Sequence, residues 1–227
     1  VEETLATAST VAVEQQHWLL KAFEDGGNTM ILIAITGVIT LALVLERLLA
    51  LRKLVVDRDD FNNKIASMIL RGDLRQAIAF CDNIRAPLTN VVKAGLEQVM
   101  NRRPDEEVQV AMDAAILKES PRVEGWAPYL AVLANVATLI GLLGTIIGLI
   151  IAFGNISDAD PAKKAEMLSL GIAHALNNTA AGIAVAVPAL IFFGFFQLRI
   201  GRAINDMQET SMSILNLVVA NRDKMKG

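Results

Sequence analysis

Three stretches of this chain carry no Asp, Glu, Lys or Arg: Gly26 to Leu45, Gly125 to Ser157 and Met167 to Leu198. Each can hold the ~20 apolar residues that a helix needs to cross a ~30 Å hydrocarbon core. A segment in lipid must satisfy its backbone polar groups internally, so all three are predicted as helices. The expected layout has an external amphipathic N-terminal helix at 1–28 and transmembrane helices at 29–51, 128–153 and 171–198. A cytoplasmic helical domain fills 52–127, an external loop 154–170 and a cytoplasmic helical tail 199–227. The first span does not read as a cleaved leader. It is too long, has no basic region ahead of it, and ends in Glu46-Arg47 rather than at a small-residue cleavage site. The opening residue is Val1 rather than Met, which leaves an upstream leader open.

The polar stretches show helical periodicity and no strand alternation. Phe61, Ile65, Met68 and Ile69 share a helical face that Gly72 ends, and Asp73 can cap the run through Leu74, Ala77, Ile78 and Cys81. Pro87 opens a further helix with Leu88, Val91, Val92, Leu96 and Val99 on one face. Pro104 stands at the first turn of another, followed by Asp105, Glu106 and Glu107 where the helix dipole favours acids. After the third span, Ile200, Met207 and Ile214 recur at heptad spacing, as do Ile204, Ser211 and Val218. That predicts one continuous helix from Gly171 to Asn221. Its apolar stripe needs cover, either from the middle segment of the same chain or from neighbouring copies. Near the N-terminus, Trp18, Leu19, Leu20 and Phe23 beside charged residues read as an interfacial helix.

Composition agrees with a bilayer protein. Hydrophobic residues make up 53% of the chain and charged residues only 20%, against the roughly 25% charged of soluble domains. A single cysteine, Cys81, excludes a disulfide framework, and the widely spread basic residues at net charge −3 give no nucleic-acid patch. No cofactor or metal motif is visible. Orientation follows from the basic residues, which crowd between the first two spans and into the tail. The N-terminus is therefore expected outside, with the middle segment and the C-terminus in the cytoplasm.

The second span reads GLLGTIIGLIIAF from Gly141, and the third GIAHALNNTAAGIAVAVPAL from Gly171. Gly141, Gly144 and Gly148 in one, and Gly182 in the other, allow close helix approach, while Pro188 suggests a kink. Thr145 and Thr179 are expected at similar depth in antiparallel neighbours. A lone Thr most simply bonds the carbonyl four residues before it. Two at matched depth on small-residue faces are also placed to line a pore. Asn177 and Asn178 lie beside the second of them and, like Glu46, are candidates for a polar pathway or an interfacial position. His174 reads first as a hydrogen-bonded residue near the external interface, and second as part of a polar pathway. Glu46 with Arg47 reads as an interfacial anchor or local ion pair. Neither the second nor the third span contains an acidic residue, yet proton and sodium paths typically need a carboxylate in the membrane. If this protein conducts ions, a second polypeptide must supply that group. No metal cluster or nucleophile–base pair in these helices points to an intramembrane enzyme. The small-residue faces alone also fit a non-conducting scaffold.

At these two spans the chain resembles the ExbB/TolQ/MotA family of proton-driven membrane motors. The resemblance rests on Gly144-Thr145 with Gly148, and on Gly171-Ile172-Ala173, Ala175-Leu176, Thr179-Ala180, Gly182 and Ala186 with Pro188-Ala189. Three spans resemble the ExbB/TolQ branch more than the MotA branch. The resemblance implies an all-α membrane protein that forms a homo-oligomeric ring, a pentamer. The ring would enclose a dimer of a single-span, ExbD-like partner carrying the proton-binding Asp. It also implies that Thr145 and Thr179 are the ring hydroxyls facing that Asp, and that the proton motive force energises a TonB-like protein. A TolQ-like motor with another effector is the alternative. The chain departs from the family pattern at His174, where well-known members carry Glu, and at Asn177-Asn178, where apolar residues are common.

Overall fold

The computed structural model describes residues 27–54, 58–84, 86–156 and 163–222. The expected N-terminal helix at 1–28 lies outside them except for its last two residues. Seven helices follow one another among the described residues: α1 (Gly27–Leu54), α2 (Arg58–Leu70), α3 (Leu74–Ile84), α4 (Pro87–Met100), α5 (Asp105–Glu124), α6 (Ala127–Ile156) and α7 (Lys164–Asn221). Three of the helical segments are long and apolar enough to cross a membrane. The chain is an all-α membrane protein.

Two compact units divide the residues. The first takes its described residues from 27–44 and 129–192, the second from 45–128 and 193–222. In the first, α6 and α7 pack through small residues, with Ala134, Ala186 and Ala189 buried together. Most larger side chains of this unit face outward, among them Leu139, Ile150 and Ile191, each more than 60% exposed. A lipid-facing helix shows such a surface, because the surrounding solvent is apolar. Thr36 and Thr40 of α1 donate to the carbonyls of Leu32 and Thr36, both at 2.8 Å, so neither polar group is left unmatched in the apolar segment.

The second unit has an apolar core. α2 packs on α3, α3 on α4 and α4 on α5. The local signals act as their chemistry dictates: Asp73 Oδ1 accepts from the Gln76 N–H at 3.1 Å at the start of α3, and Pro87 opens α4. Phe61, Ile65, Ile69, Val91, Val92, Leu96, Val108 and Met112 are fully or almost fully buried. The stripe on α7 joins them, with Ile200, Met207, Ile214 and Val218 all buried. Of the two covers open to that stripe, the middle segment of the same chain supplies one. Arg58 on α2 reaches Asp206 at 3.5 Å and Glu209 at 2.6 Å, and Arg222 reaches Asp105 at 3.2 Å. These pairs are partly exposed and fix register more than they add stability.

The 154–170 segment, expected as a loop, is helical at both ends. α6 runs to Ile156 and α7 begins at Lys164, with Glu166 in the first turn where the helix dipole favours an acid. Charged residues ended the apolar span in the sequence, but they do not end a helix. Pro188 is accommodated within α7.

Cys81 is buried in the second unit, and burial pushes its thiol up to about 12. Asp82 acts in the same direction, and Lys93 opposes it. The ammonium of Lys93 is itself raised by its 2.5 Å hydrogen bond to Asp82. Iodoacetamide should therefore leave Cys81 unmodified at neutral pH until the unit unfolds, since the thiolate is the nucleophile. The folded chain holds the thiol proton to about 12, whereas an unfolded thiol loses it near its ordinary value of 9.0. Stability from this source is complete below the lower value and falls as pH rises between the two. Urea midpoints of wild type and Cys81→Ala, compared across that window, should converge as pH rises. Parallel pH profiles would sink the assignment.

Candidate functional site

In the first unit α6 and α7 approach closely where glycines face one another. A Cβ built on Gly182 would lie 2.6 Å from the Ala137 carbonyl oxygen and 3.1 Å from Gly141 Cα. One on Gly141 would lie 2.8 Å from the Asn178 carbonyl oxygen and 3.2 Å from Thr179 Cα. Any side chain would have to displace backbone, so α6 and α7 meet here because both present hydrogen where other residues present carbon. Gly148 plays the same part against Ala175, with 3.0 Å left for a Cβ.

This close approach brings Thr145 and Thr179 together. Their hydroxyls are hydrogen-bonded to each other, each half-buried. Thr145 Oγ1 also lies 3.0 Å from the Ala175 carbonyl and 3.2 Å from the Gly141 carbonyl, and Thr179 Oγ1 lies 3.3 Å from Gly141 O. Two hydroxyls have two protons for these positions. Either Thr179 donates to Thr145, which donates to a carbonyl, or Thr145 donates to Thr179, which donates to Gly141. Both arrangements use every proton, so the pair can reverse direction by hydroxyl rotation alone. In each, both hydroxyl oxygens retain a lone pair for an incoming donor. A pair of neutral alcohols cannot hold a proton of its own, but it can accept a hydrogen bond, and it can donate one outward when the terminal hydroxyl turns away from its carbonyl.

The neighbouring polar residues separate. Asn178 is buried against Gly144, where an added Cβ would sit 2.8–2.9 Å from its side-chain atoms, and its Oδ1 has no hydrogen-bond partner. Asn177, paired with it in the sequence reading, is half-buried and takes no place in that contact. His174 shares with Asn178 the wall of a cleft of 490 Å³ between the start of α1, α6 and α7. Glu46 is exposed on α1. Pro188 is exposed on α7.

Arg47 corrects the sequence reading of its dipeptide. It is not an interfacial anchor beside Glu46 but a buried group, 3% exposed, whose guanidinium donates to the Val123 carbonyl in the last turn of α5. Helix C-termini present unpaired carbonyls and a negative dipole end, and a cation there answers both. Gly125, just past a helix end, marks in the sequence where unpaired carbonyls lie, but nothing there ties them to Arg47.

Comparisons with known proteins point the same way as these helices. The chain is similar to a putative biopolymer transport protein ExbB homolog of Methanothermobacter thermautotrophicus, at 27% identity over 84% of this chain and 67% of that one. A stretch covering 42% of the chain is 38% identical to the Tol-Pal system protein TolQ of Haemophilus influenzae, and spans 42% of that protein's length. A solved structure of C. jejuni MotAB has the same fold, with a TM-score of 0.57 at 15% identity over 98% of this chain and 88% of that chain. The model of the MotA/TolQ/ExbB proton channel family matches residues 83–209, which contain both glycine faces and both threonines. The chain belongs to the MotA/TolQ/ExbB proton channel family.

Proposed function

We propose that this protein is the ring subunit of an inner-membrane proton-channel motor, most like ExbB, and that it energises TonB-dependent transport across the outer membrane. The observation that carries the reading is the Thr145–Thr179 hydroxyl pair on two apolar spans, 128–153 and 171–198, that hold no carboxylate. Such a pair relays hydrogen bonds but binds no proton. A proton path through it needs an acid from another chain. A homopentamer around a dimer of a single-span, ExbD-like partner supplies it, with one membrane Asp per partner chain. The partner's Asp, protonated, donates to a lone pair left on the hydroxyl pair. Ionised, it accepts from the hydroxyl that turns away from its carbonyl. The path then serves both states without a fixed charge in the ring.

The charge pattern favours an external N-terminus and a cytoplasmic C-terminus, with the second unit in the cytoplasm. The ExbB-like assignment draws on a relative that aligns over most of the chain, and the TolQ-like motor is its rival within the family. Liposomes loaded with a pH-sensitive dye separate these from a plain scaffold. The chain alone should leak no protons. The chain co-purified with its single-span partner should conduct, and changing the partner's membrane Asp to Asn should abolish the flux. A stable complex that conducts equally with the Asn variant would sink the shared proton path.

A further inference from the structure

The cleft between the start of α1 and the α6–α7 pair has two properties that belong together. It has a volume of 490 Å³, and its inner wall carries Asn178, 4% exposed, whose Oδ1 has no partner. An amide oxygen buried without a donor is costly, and native structures satisfy such groups with protein or ordered water. Asn28, Thr29 and His174 also line the space, so a water inside it meets several polar groups. At ~30 Å³ per molecule, the volume holds on the order of ten waters. The inner wall reaches Gly144 and Asn178, the sequence neighbours of Thr145 and Thr179.

We propose that this cleft is a water-filled vestibule on the external side of the ion path, and that Asn178 holds its innermost water next to the hydroxyl pair. The inference rests on the channel reading and deepens it by assigning the ligand of the cleft as water rather than an acyl chain. The carboxamide suits this task because it is neutral. It accepts from water or a hydrated proton without trapping the charge as a carboxylate would. His174 and the polar start of α1 stand along the same wall and keep the space wetted. Gly144 leaves the room that the Asn178 side chain occupies.

Thiol accessibility tests the water directly. In the full chain with Cys81→Ala, single cysteines at Asn178, His174 and Ala189 are treated with methanethiosulfonate ethylammonium in membrane vesicles. The reagent needs a thiolate, and therefore water. Ala189 is the dry control, 0% exposed and away from the cleft. Asn178→Cys should react about tenfold faster than Ala189→Cys or more, given the thiolate requirement. A rate no faster than the control overturns the vestibule. If Asn178→Cys does not reach the membrane, His174→Cys is read against the same control with the same two outcomes. Asn178→Leu should in addition lower partner-dependent proton flux severalfold. Flux undiminished in Asn178→Leu, with position 178 unreactive, removes the vestibule and leaves the motor standing. A reactive position 178 in a complex that never conducts does the reverse.

Discussion

Thr179→Val is expected to lower partner-dependent proton flux by about thirtyfold or more while the chain still inserts and assembles. The substitution keeps the branched shape of the side chain and removes only the hydroxyl. What is lost structurally is modest. The Gly141 carbonyl, 3.3 Å away, is already part of a helix, and Thr145 keeps its 3.0 Å contact with the Ala175 carbonyl. A neutral hydrogen bond contributes only ~0.5–1.5 kcal/mol net, so assembly should survive. The effect on conduction is larger because a charge passes. A missing hydrogen bond to a charged group costs roughly 1.5–3 kcal/mol, which as a barrier is about ten- to a hundredfold in rate. Thr145→Val should behave alike, since either hydroxyl alone loses the ability to reverse direction. Thr→Ser at either position restores the oxygen and should restore most of the flux. The measurement is dye-reported proton entering liposomes that hold the chain with its partner. Conduction within twofold of wild type in both Val variants would mean that the hydroxyls only tie two helices together.

The contrast between what the sequence displays and what it conceals has a physical basis. A bilayer imposes its requirement on a contiguous run of residues, so the absence of charge from Met167 to Leu198 is visible without any knowledge of packing. Helix starts are local too: Asp73 and Pro87 act within a few residues of themselves. The α7 stripe was legible as a surface needing cover, but periodicity does not name the occupant; the pairs of Arg58 with Asp206 and Glu209 bring α2 beside α7 from a distant part of the chain. Asn177 and Asn178 look equivalent on paper. One residue step turns a helical side chain by about 100°, and only one of the two meets Gly144. Arg47 was concealed most thoroughly. Beside Glu46 at the end of an apolar run it has the sequence of an interface anchor, and its partner is a backbone carbonyl, which every residue has.

Gly125→Ala is the second substitution expected to do great harm, here to the second unit. Gly125 has φ +46° and ψ −133°, a conformation that L side chains rarely adopt. Forcing a Cβ into that region costs of order 1–3 kcal/mol. The Cβ would also collide with the Arg47 guanidinium, whose Cζ would lie 2.7 Å away. Arg47 would then have to leave the Val123 carbonyl. It is buried, and its Nε already lacks a partner, so a displaced guanidinium has nothing nearby to compensate it. Loss of a hydrogen bond made by a charged group adds about 1.5–3 kcal/mol. The sum, roughly 2.5–6 kcal/mol, is a large part of the stability of any domain. A double-mutant cycle with Arg47→Met separates the two causes, because Met removes the colliding group. In that background Gly125→Ala should retain only its backbone cost, leaving a coupling of about 1.5–3 kcal/mol. Pulse proteolysis across a urea series, scoring cleavage within 45–128, gives each corner of the cycle. Additive effects at the two positions would show that Arg47 does not hold the end of α5, and a neutral Gly125→Ala would remove the strained turn as well.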